Sequence, residues 1–315
     1  MTTPLVSIIT PAYNSAVYIA ETIASALAQT CTDFELIVAD DESTDDTIDV
    51  ARRAAGGDPR LIVVSTPHGG TSIARNGALA VSRGRFIALL DSDDVWMPNY
   101  LAEQITIAER CPDGGVISAN AINRGGDFDG RPIWSATEGL RTLELHDLIV
   151  DHDTVCIMSV FRREVCERIG AFNPALKSNE DYEFWLRAAN AGFRIVQNLR
   201  PLAYYRRRMG SVSSDDVRML LGIIHVLESV GAESGPIERE REAIAAKIAR
   251  LQDDLATARL RSSLSRRDAT DAVRRLKELS KLRGSVSLAV AAKVTQAWPE
   301  LLLHAYGLRR ALRKR

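Results

Sequence analysis

Residues 85–94 read RFIALLDSDD: a short apolar run that stops abruptly on a polar cluster, Asp91, Ser92, Asp93 and Asp94. A run of this length bounded by polar residues predicts a buried strand rather than a helix. In an open α/β sheet, ligands sit outside the carboxyl ends of the strands. Two other runs end the same way. Leu5 to Thr10 leads into Pro11-Ala12-Tyr13-Asn14, and Glu35 to Ala39 leads into Asp40-Asp41-Glu42-Ser43. The three polar ends are expected to converge on one crevice.

Working outward, Leu61 to Ser65 and Val116 to Ala119 supply further strands, and amphipathic segments separate them. This alternation predicts a doubly wound, mostly parallel α/β sheet covered by helices. Ser15 is expected to cap a helix whose Ile19, Ile23 and Leu27 form a core-facing stripe. Ser43 or Thr44 is expected to open the next, with Asp45 and Asp46 near its positive end. Residues 121–154 carry no clear period, and a second patterned block spans 155–213. Beyond Asp216 glycine and proline become sparse. Ile237, Ile244, Ile248, Leu251, Leu255 and Ala258 fall largely at three- and four-residue steps, which predicts a helical hairpin or short coiled coil. The expected division is a catalytic domain at 1–215 and a helical C-terminal extension at 216–315.

The chain has 315 residues, 46% of them apolar, ample for a packed core. Forty Lys and Arg balance 41 Asp and Glu for a net charge of -1. That leaves no global basic field for nucleic-acid binding. Cys31, Cys111, Cys156 and Cys166 form no CxxC pair, so reduced thiols in a cytosolic protein are the simpler reading. No basic stretch precedes a long apolar run at the N-terminus, so no secretion signal is expected. The apolar segment 286–303 is interrupted by Lys293 and Pro299, which argues against a spanning helix. Its basic sequel, GLRRALRKR at 307–315, suits either an anionic membrane surface, at the inner face, or a packed helix with a solvated end.

Neither GxGxxG nor GxxxxGK[ST] occurs, so glycine amides of those motifs cannot cradle phosphates here. A divalent cation, Mn²⁺ or Mg²⁺, on the carboxylates after the fourth strand would offset a diphosphate instead. Alternation along extended backbone points Asp91 and Asp93 to the same side. Asp94 turns away or reaches the metal where the chain bends.

The ordered motifs VSIITPAYN (6–14), DFELIVADDESTDDT (33–47), SIARNGAL (72–79), GRFIALLDSDDVWMP (84–98) and NEDYEFWLRAANAGF (179–193) together resemble the family-2 glycosyltransferases. The resemblance spans about residues 5–213. It implies the A-type glycosyltransferase fold, a nucleotide-sugar-binding domain, and transfer with inversion from a nucleoside-diphosphate sugar, UDP above all, to a hydroxyl of a glycan or lipid-linked acceptor. Position by position, it implies that Pro11, Ala12 and Tyr13 line the base pocket and that Asp41 accepts a hydrogen bond from the base. Arg75 and Asn76 would lie beside the donor. Asp91 and Asp93 would hold ribose and metal, with Ser92 in the donor site and Asp94 a further metal ligand. Asp181 would be the general base.

Read without the resemblance, Ser178-Asn179-Glu180-Asp181 is also a capping box at a helix start. Trp185 is expected to pack that helix under the acceptor site. The chain departs from the family pattern at Glu42, where many members carry glycine, and at Arg208 in Tyr205-Arg206-Arg207-Arg208, where members often carry histidine. Arg208 cannot ligate a metal, and its fork is expected to grip the diphosphate, with Arg206 to Arg208 closing over the donor. The C-terminal helices are expected to serve a homodimer or peripheral membrane contact. Two other readings stand beside this one. A sugar nucleotidyltransferase would require a glycine-rich loop after the first strand, and PAYN lacks it. A non-catalytic nucleotide-sugar-binding or assembly module would bind donor without turnover.

Overall fold

In β1 (Val6–Ala12) every residue is buried, as a strand covered on both faces requires. The computed structural model describes residues 3–208, 215–232, 237–298 and 300–312. After β1 come α1 (Ile19–Leu27), β2 (Phe34–Asp40), α2 (Thr47–Ala55), β3 (Leu61–Ser65), α3 (Thr71–Val81) and β4 (Phe86–Leu89). Strands β3, β2, β1 and β4 lie side by side in that order, all parallel, so their carboxyl ends share one edge.

The other half of the sheet is mixed. It contains β5 (Val95–Trp96), α4 (Tyr100–Arg110), β6 (Gly114–Arg124), β7 (Leu140–Leu143), α5 (Leu145–Val150), β8 (Ser159–Arg162), α6 (Arg163–Ile169), α7 (Glu180–Asn190) and β9 (Arg194–Arg206). β8 runs antiparallel between β4 and β6, β9 follows β6 in parallel, and β5 and β7 both pair antiparallel with β9. The segment without sequence period is therefore partly sheet.

Two helix starts differ from expectation. α1 opens at Ile19, and the Ser15 hydroxyl bonds the Ser92 hydroxyl at 2.8 Å and the Tyr13 carbonyl rather than capping the helix. α2 opens at Thr47, because residues 43 and 44 are stitched to Asn14. The Asn14 N–H donates to Ser43 Oγ, and the Thr44 N–H donates to Asn14 Oδ1.

Beyond residue 215 the described residues form five helices: α8 (Asp216–Ala232), α9 (Glu238–Ser265), α10 (Ala269–Arg283), α11 (Val286–Ala297) and α12 (Glu300–Leu312). α9 and α10 make the expected hairpin, latched by Arg283 on Asp253 at 2.6 Å. Its stripe buries Ile244, Leu251, Leu255 and Ala258, whereas Ile237 precedes the helix and is exposed. Among the described residues no helix is long and apolar enough to cross a membrane. Pro299 and residues 313–315 lie outside the described residues, as do the side chains from 307 onward, so the basic tail is not placed.

One contact fixes how α8 meets α7. A Cβ on Gly222 would lie 2.2 Å from Asn179 Nδ2 and 2.7 Å from Ser178 Oγ, so any larger residue would have to move both side-chain ends. Beneath the same place Phe161, Phe172, Phe184 and Trp185 interlock with ring centroids 4.5–5.9 Å apart, edge-on or stacked. Trp185 thus packs α7 from below, as expected.

Candidate active site

β4 delivers Asp91 to Asp94 in a tight turn, with the Asp94 N–H donating to the Asp91 carbonyl at 3.1 Å. α1 braces the turn from behind: the Thr22 hydroxyl lies 2.8 Å from the Asp94 carbonyl and 3.0 Å from that of Ser92. The aspartates then diverge. Asp91 is partly exposed, and its Oδ1 accepts from Arg75 Nη2 at 2.7 Å. Asp93 presents Oδ2 to Arg208 Nε at 2.7 Å. Asp94 turns inward, 1% exposed, and its Oδ1 accepts the Arg206 N–H at 2.8 Å. Burial, then the neighbouring Asp93 and Asp91, push the Asp94 carboxyl well above the usual range. Ser92 is buried on Ser15.

Arg75 lies on the second turn of α3 and is fully buried. One fork arm reaches Asp91 and the other reaches Glu180 Oε1 at 2.8 Å. It ties the end of β4 to the start of α7. The next residue on α7 is Asp181, whose Oδ1 accepts the Tyr182 N–H at 2.8 Å. Burial raises the Asp181 carboxyl above its ordinary value, with Arg75 opposing, and Glu180 behaves alike. The capping box does not form. Asn179 is left-handed at φ 59° and sends Nδ2 to the Met219 carbonyl on α8 and to its neighbour Ser178.

Asn76 is occupied elsewhere: its amide donates to the Phe172 carbonyl at 2.8 Å and accepts the Phe172 N–H at 2.9 Å. It clips a loop and does not present its amide to the crevice.

At the β1 and β2 ends, Pro11 and Ala12 are buried, the Ala12 carbonyl accepts the Asp41 N–H, and Tyr13 is 45% exposed. Asp41 accepts the N–H groups of Gly69 at 2.8 Å and Gly70 at 2.9 Å, and His68 Nδ1 lies 3.1 Å from Oδ2. The His68 ring faces Tyr13 with centroids 4.7 Å apart. The sequence reading missed His68, Gly69 and Gly70. Their signal was a glycine pair between a strand and the N-terminus of α3.

Glu42 adopts φ 57°, the left-handed conformation that glycine accepts freely. That is a physical reason for glycine at this position in other members. Of the arginine triplet, Arg206 also bonds the Asp93 carbonyl and Glu21, and it stacks with Arg208 on Tyr18. Arg207 turns away to Asn123 and Tyr205. The Ser-x-Ser that follows, 211–213, lies outside the described residues.

The acidic turn suits a hard dication. Burial, then the charge of Asp91, raises the Asp93 carboxyl, so two carboxylates are held where a cation would relieve their repulsion. Both offer oxygen, the donor that Mg²⁺ and Mn²⁺ prefer.

Comparison with known proteins agrees with this geometry. A sequence profile of the family described as Glycosyl transferase family 2 matches residues 7–170. The UDP-Glc:alpha-D-GlcNAc-diphosphoundecaprenol beta-1,3-glucosyltransferase WfaP of Escherichia coli is 32% identical over 233 residues, 73% of this chain and 88% of the relative. The putative teichuronic acid biosynthesis glycosyltransferase TuaG of Bacillus subtilis (strain 168) is 32% identical over 67% of this chain and 82% of its own length. Among solved structures, S. aureus TarS 1–349 in complex with UDP-GlcNAc superposes with a TM-score of 0.61 at 22% identity, over 88% of this chain and 81% of that one. Mannosyltransferase PcManGT from Pyrobaculum calidifontis, in complex with GDP-Man and Mn²⁺, superposes with a TM-score of 0.63 at 19% identity, over 95% and 88%. These likenesses show the A-type glycosyltransferase fold. The chain belongs to glycosyl transferase family 2 and is a glycosyltransferase.

Proposed function

We propose that this enzyme moves a sugar from a UDP-sugar to a hydroxyl of a glycan or lipid-linked acceptor, with inversion, and that Asp181 is the base. The observation that carries the reading is the buried bridge from Asp91 through Arg75 to Glu180. It ties the acidic turn that offers the candidate metal carboxylates to the start of α7, where Asp181 follows Glu180, and so supports one site that uses both. Related proteins support the donor and acceptor classes: WfaP is named for UDP-Glc and a diphosphoundecaprenol acceptor, and TarS binds UDP-GlcNAc.

In this reading the base stacks on the exposed Tyr13 ring, which His68 backs, and the buried Pro11 and Ala12 form the floor of its pocket. Asp41 is shaped by the Gly69 and Gly70 amides, and its remaining lone pairs face the base. Asp91 and Asp93 would hold a divalent ion, which when bound would supply charge neutralisation for the leaving diphosphate. Asp94 and Ser92 are struts of the turn rather than ligands. Arg208 shares Asp93 and grips the diphosphate, with Arg206 holding the turn in place. Asp181, next to the Arg75-held Glu180, takes the proton from the acceptor hydroxyl as that oxygen attacks the anomeric carbon. Residues 3–208 form the catalytic part and 216–312 an extension packed on it.

The test is UDP release from UDP-sugars with Mn²⁺ or Mg²⁺, then with EDTA, in the wild type, Asp93→Ala and Asp181→Asn. The reading expects ion-dependent release, loss of donor affinity in Asp93→Ala, and retained affinity with lost turnover in Asp181→Asn. Equal turnover in Asp181→Asn and the wild type would remove the base from the mechanism.

A further inference from the structure

A cleft of about 770 Å³ opens beside Asp181. One wall belongs to the catalytic part, with Tyr182, Ile133 and Phe128. The facing wall belongs to the extension, with Met219 and Leu220 of α8, Thr257 and Arg261 of α9, and Arg283 of α10. Its size lies within the range of small-molecule sites.

The far wall is built, not loosely apposed. Asn179 donates to the Met219 carbonyl at 3.2 Å, and Gly222 lets α8 sit directly on the α7 N-terminus. Lys247 of α9 donates to the Val150 carbonyl of α5 at 2.9 Å. Arg283 is held by Asp253 and by Thr257 Oγ1 at 2.9 Å, so α9 and α10 present a fixed edge.

We infer that α8, α9 and α10 form the outer wall of the acceptor site and that the cleft takes the neutral saccharide end of a glycan. This rests on Asp181 being the base proposed above. Charge on the described lining argues for a neutral ligand: Arg207, Arg261 and Arg283 stand against Asp153, Asp181, Asp216 and Asp254. Such a balance gives an anion no net attraction, and charged groups on both walls make a lipid chain costly to seat. His152 adds no further cation, since burial lowers its pKa. The surface that remains carries the aromatic side chains Phe128, Tyr182 and Tyr205 among paired donors and acceptors. Sugar rings present matching C–H faces and hydroxyls. Arg261 is exposed and has no ion-pair partner among the described residues, which leaves its fork to hydroxyl oxygens.

The experiment uses the full chain with UDP and Mn²⁺ on an array of neutral and acidic oligosaccharides of two to five sugars. Wild type is compared with Thr257→Trp, which fills the cleft from α9, and Arg261→Ala, which removes one contact from an exposed position. The proposal expects the wild type to retain neutral oligosaccharides, retention to fall about tenfold or more in Thr257→Trp and severalfold in Arg261→Ala, and UDP affinity by calorimetry to stay within about twofold. Retention of acidic oligosaccharides alone, of none by the wild type, or equally by all three proteins overturns it. A wild type that fails to bind UDP overturns instead the function on which the proposal rests.

Discussion

Arg75 holds Asp91 at 2.7 Å from a position that is itself almost wholly buried, and the other arm of the same guanidinium holds Glu180. A cation out of reach of solvent is thus the joint between the two carboxylate groups of the site. Replacing it by methionine leaves both carboxylates facing an apolar stub. Arg75→Met is expected to cost about 3 kcal/mol in urea unfolding and to abolish most turnover. Arg75→Lys, a point charge without a fork, should recover part of the stability and little of the activity. A variant of unchanged activity would dissociate the bridge from the chemistry.

If Asp181 is the base, as proposed, its raised carboxyl sets the sign of the pH profile. A base works only when deprotonated, so activity falls as pH drops through its pKa. Burial places that limb above the ordinary aspartate value of 3.8. Asp181→Asn should lower kcat by about 10²- to 10⁴-fold and erase the limb, with donor affinity kept. The check is kcat/KM against pH for both proteins.

His68 and Asn76 make a paired comparison at the donor side. If His68 backs the Tyr13 ring on which the base stacks, His68→Ala should raise the donor KM about tenfold, a loss of about 1.4 kcal/mol, with little change in stability. Asn76→Ala removes two hydrogen bonds to Phe172 and should do the reverse: about 1–2 kcal/mol of stability lost and the donor KM nearly unchanged. Donor titrations and urea unfolding of the two variants read this directly.

Glu42 pays a conformational cost at φ 57°. Glu42→Gly should stabilise the protein by about 1 kcal/mol, since the left-handed region is costly for residues with a Cβ. It also removes an anion near the donor crevice, so donor affinity should rise modestly at low salt. A fall in the urea midpoint would contradict the account.

Glu35 offers a second pH test away from the site. Burial would raise its carboxyl, but bonds from Ser7 and Arg83 outweigh it, and its pKa is lowered from 4.5. A depressed folded pKa gives stability that is fully present above the unfolded value and lost as pH falls through the folded one. Glu35→Gln should therefore cost about 2 kcal/mol near neutrality. The difference from wild type should shrink as pH drops below 4.5.

Four of the five strands named from sequence were legible because each is a run buried on both faces, and the half-buried edge strand at Leu61–Ser65 was legible as a β-branched run. β9 was harder. Pro201 interrupts it, and the buried Gln197 and Asn198 look like surface residues until Gln197 meets the Thr154 carbonyl and Asn198 meets Gln104. Site residues on strand ends were readable from the sudden change of polarity. The roles of Asn76, Asp94 and His68 were not, since each depends on a partner far along the chain: Phe172, Arg206 and Tyr13. Local pattern carries no information about such pairings. The extension gave a clear helical period, but its docking on α7 hangs on Gly222, one small residue in a helix.

That glycine has a consequence for engineering by recombination. A junction near residue 215 looks like a natural seam for grafting another relative's helices onto this catalytic part. A helix arriving with alanine at position 222 would push the Asn179 amide off the Met219 carbonyl and loosen the clasp just before Glu180 and Asp181. Chimeras made at that seam should keep most activity when the donor helix brings a glycine in the same register.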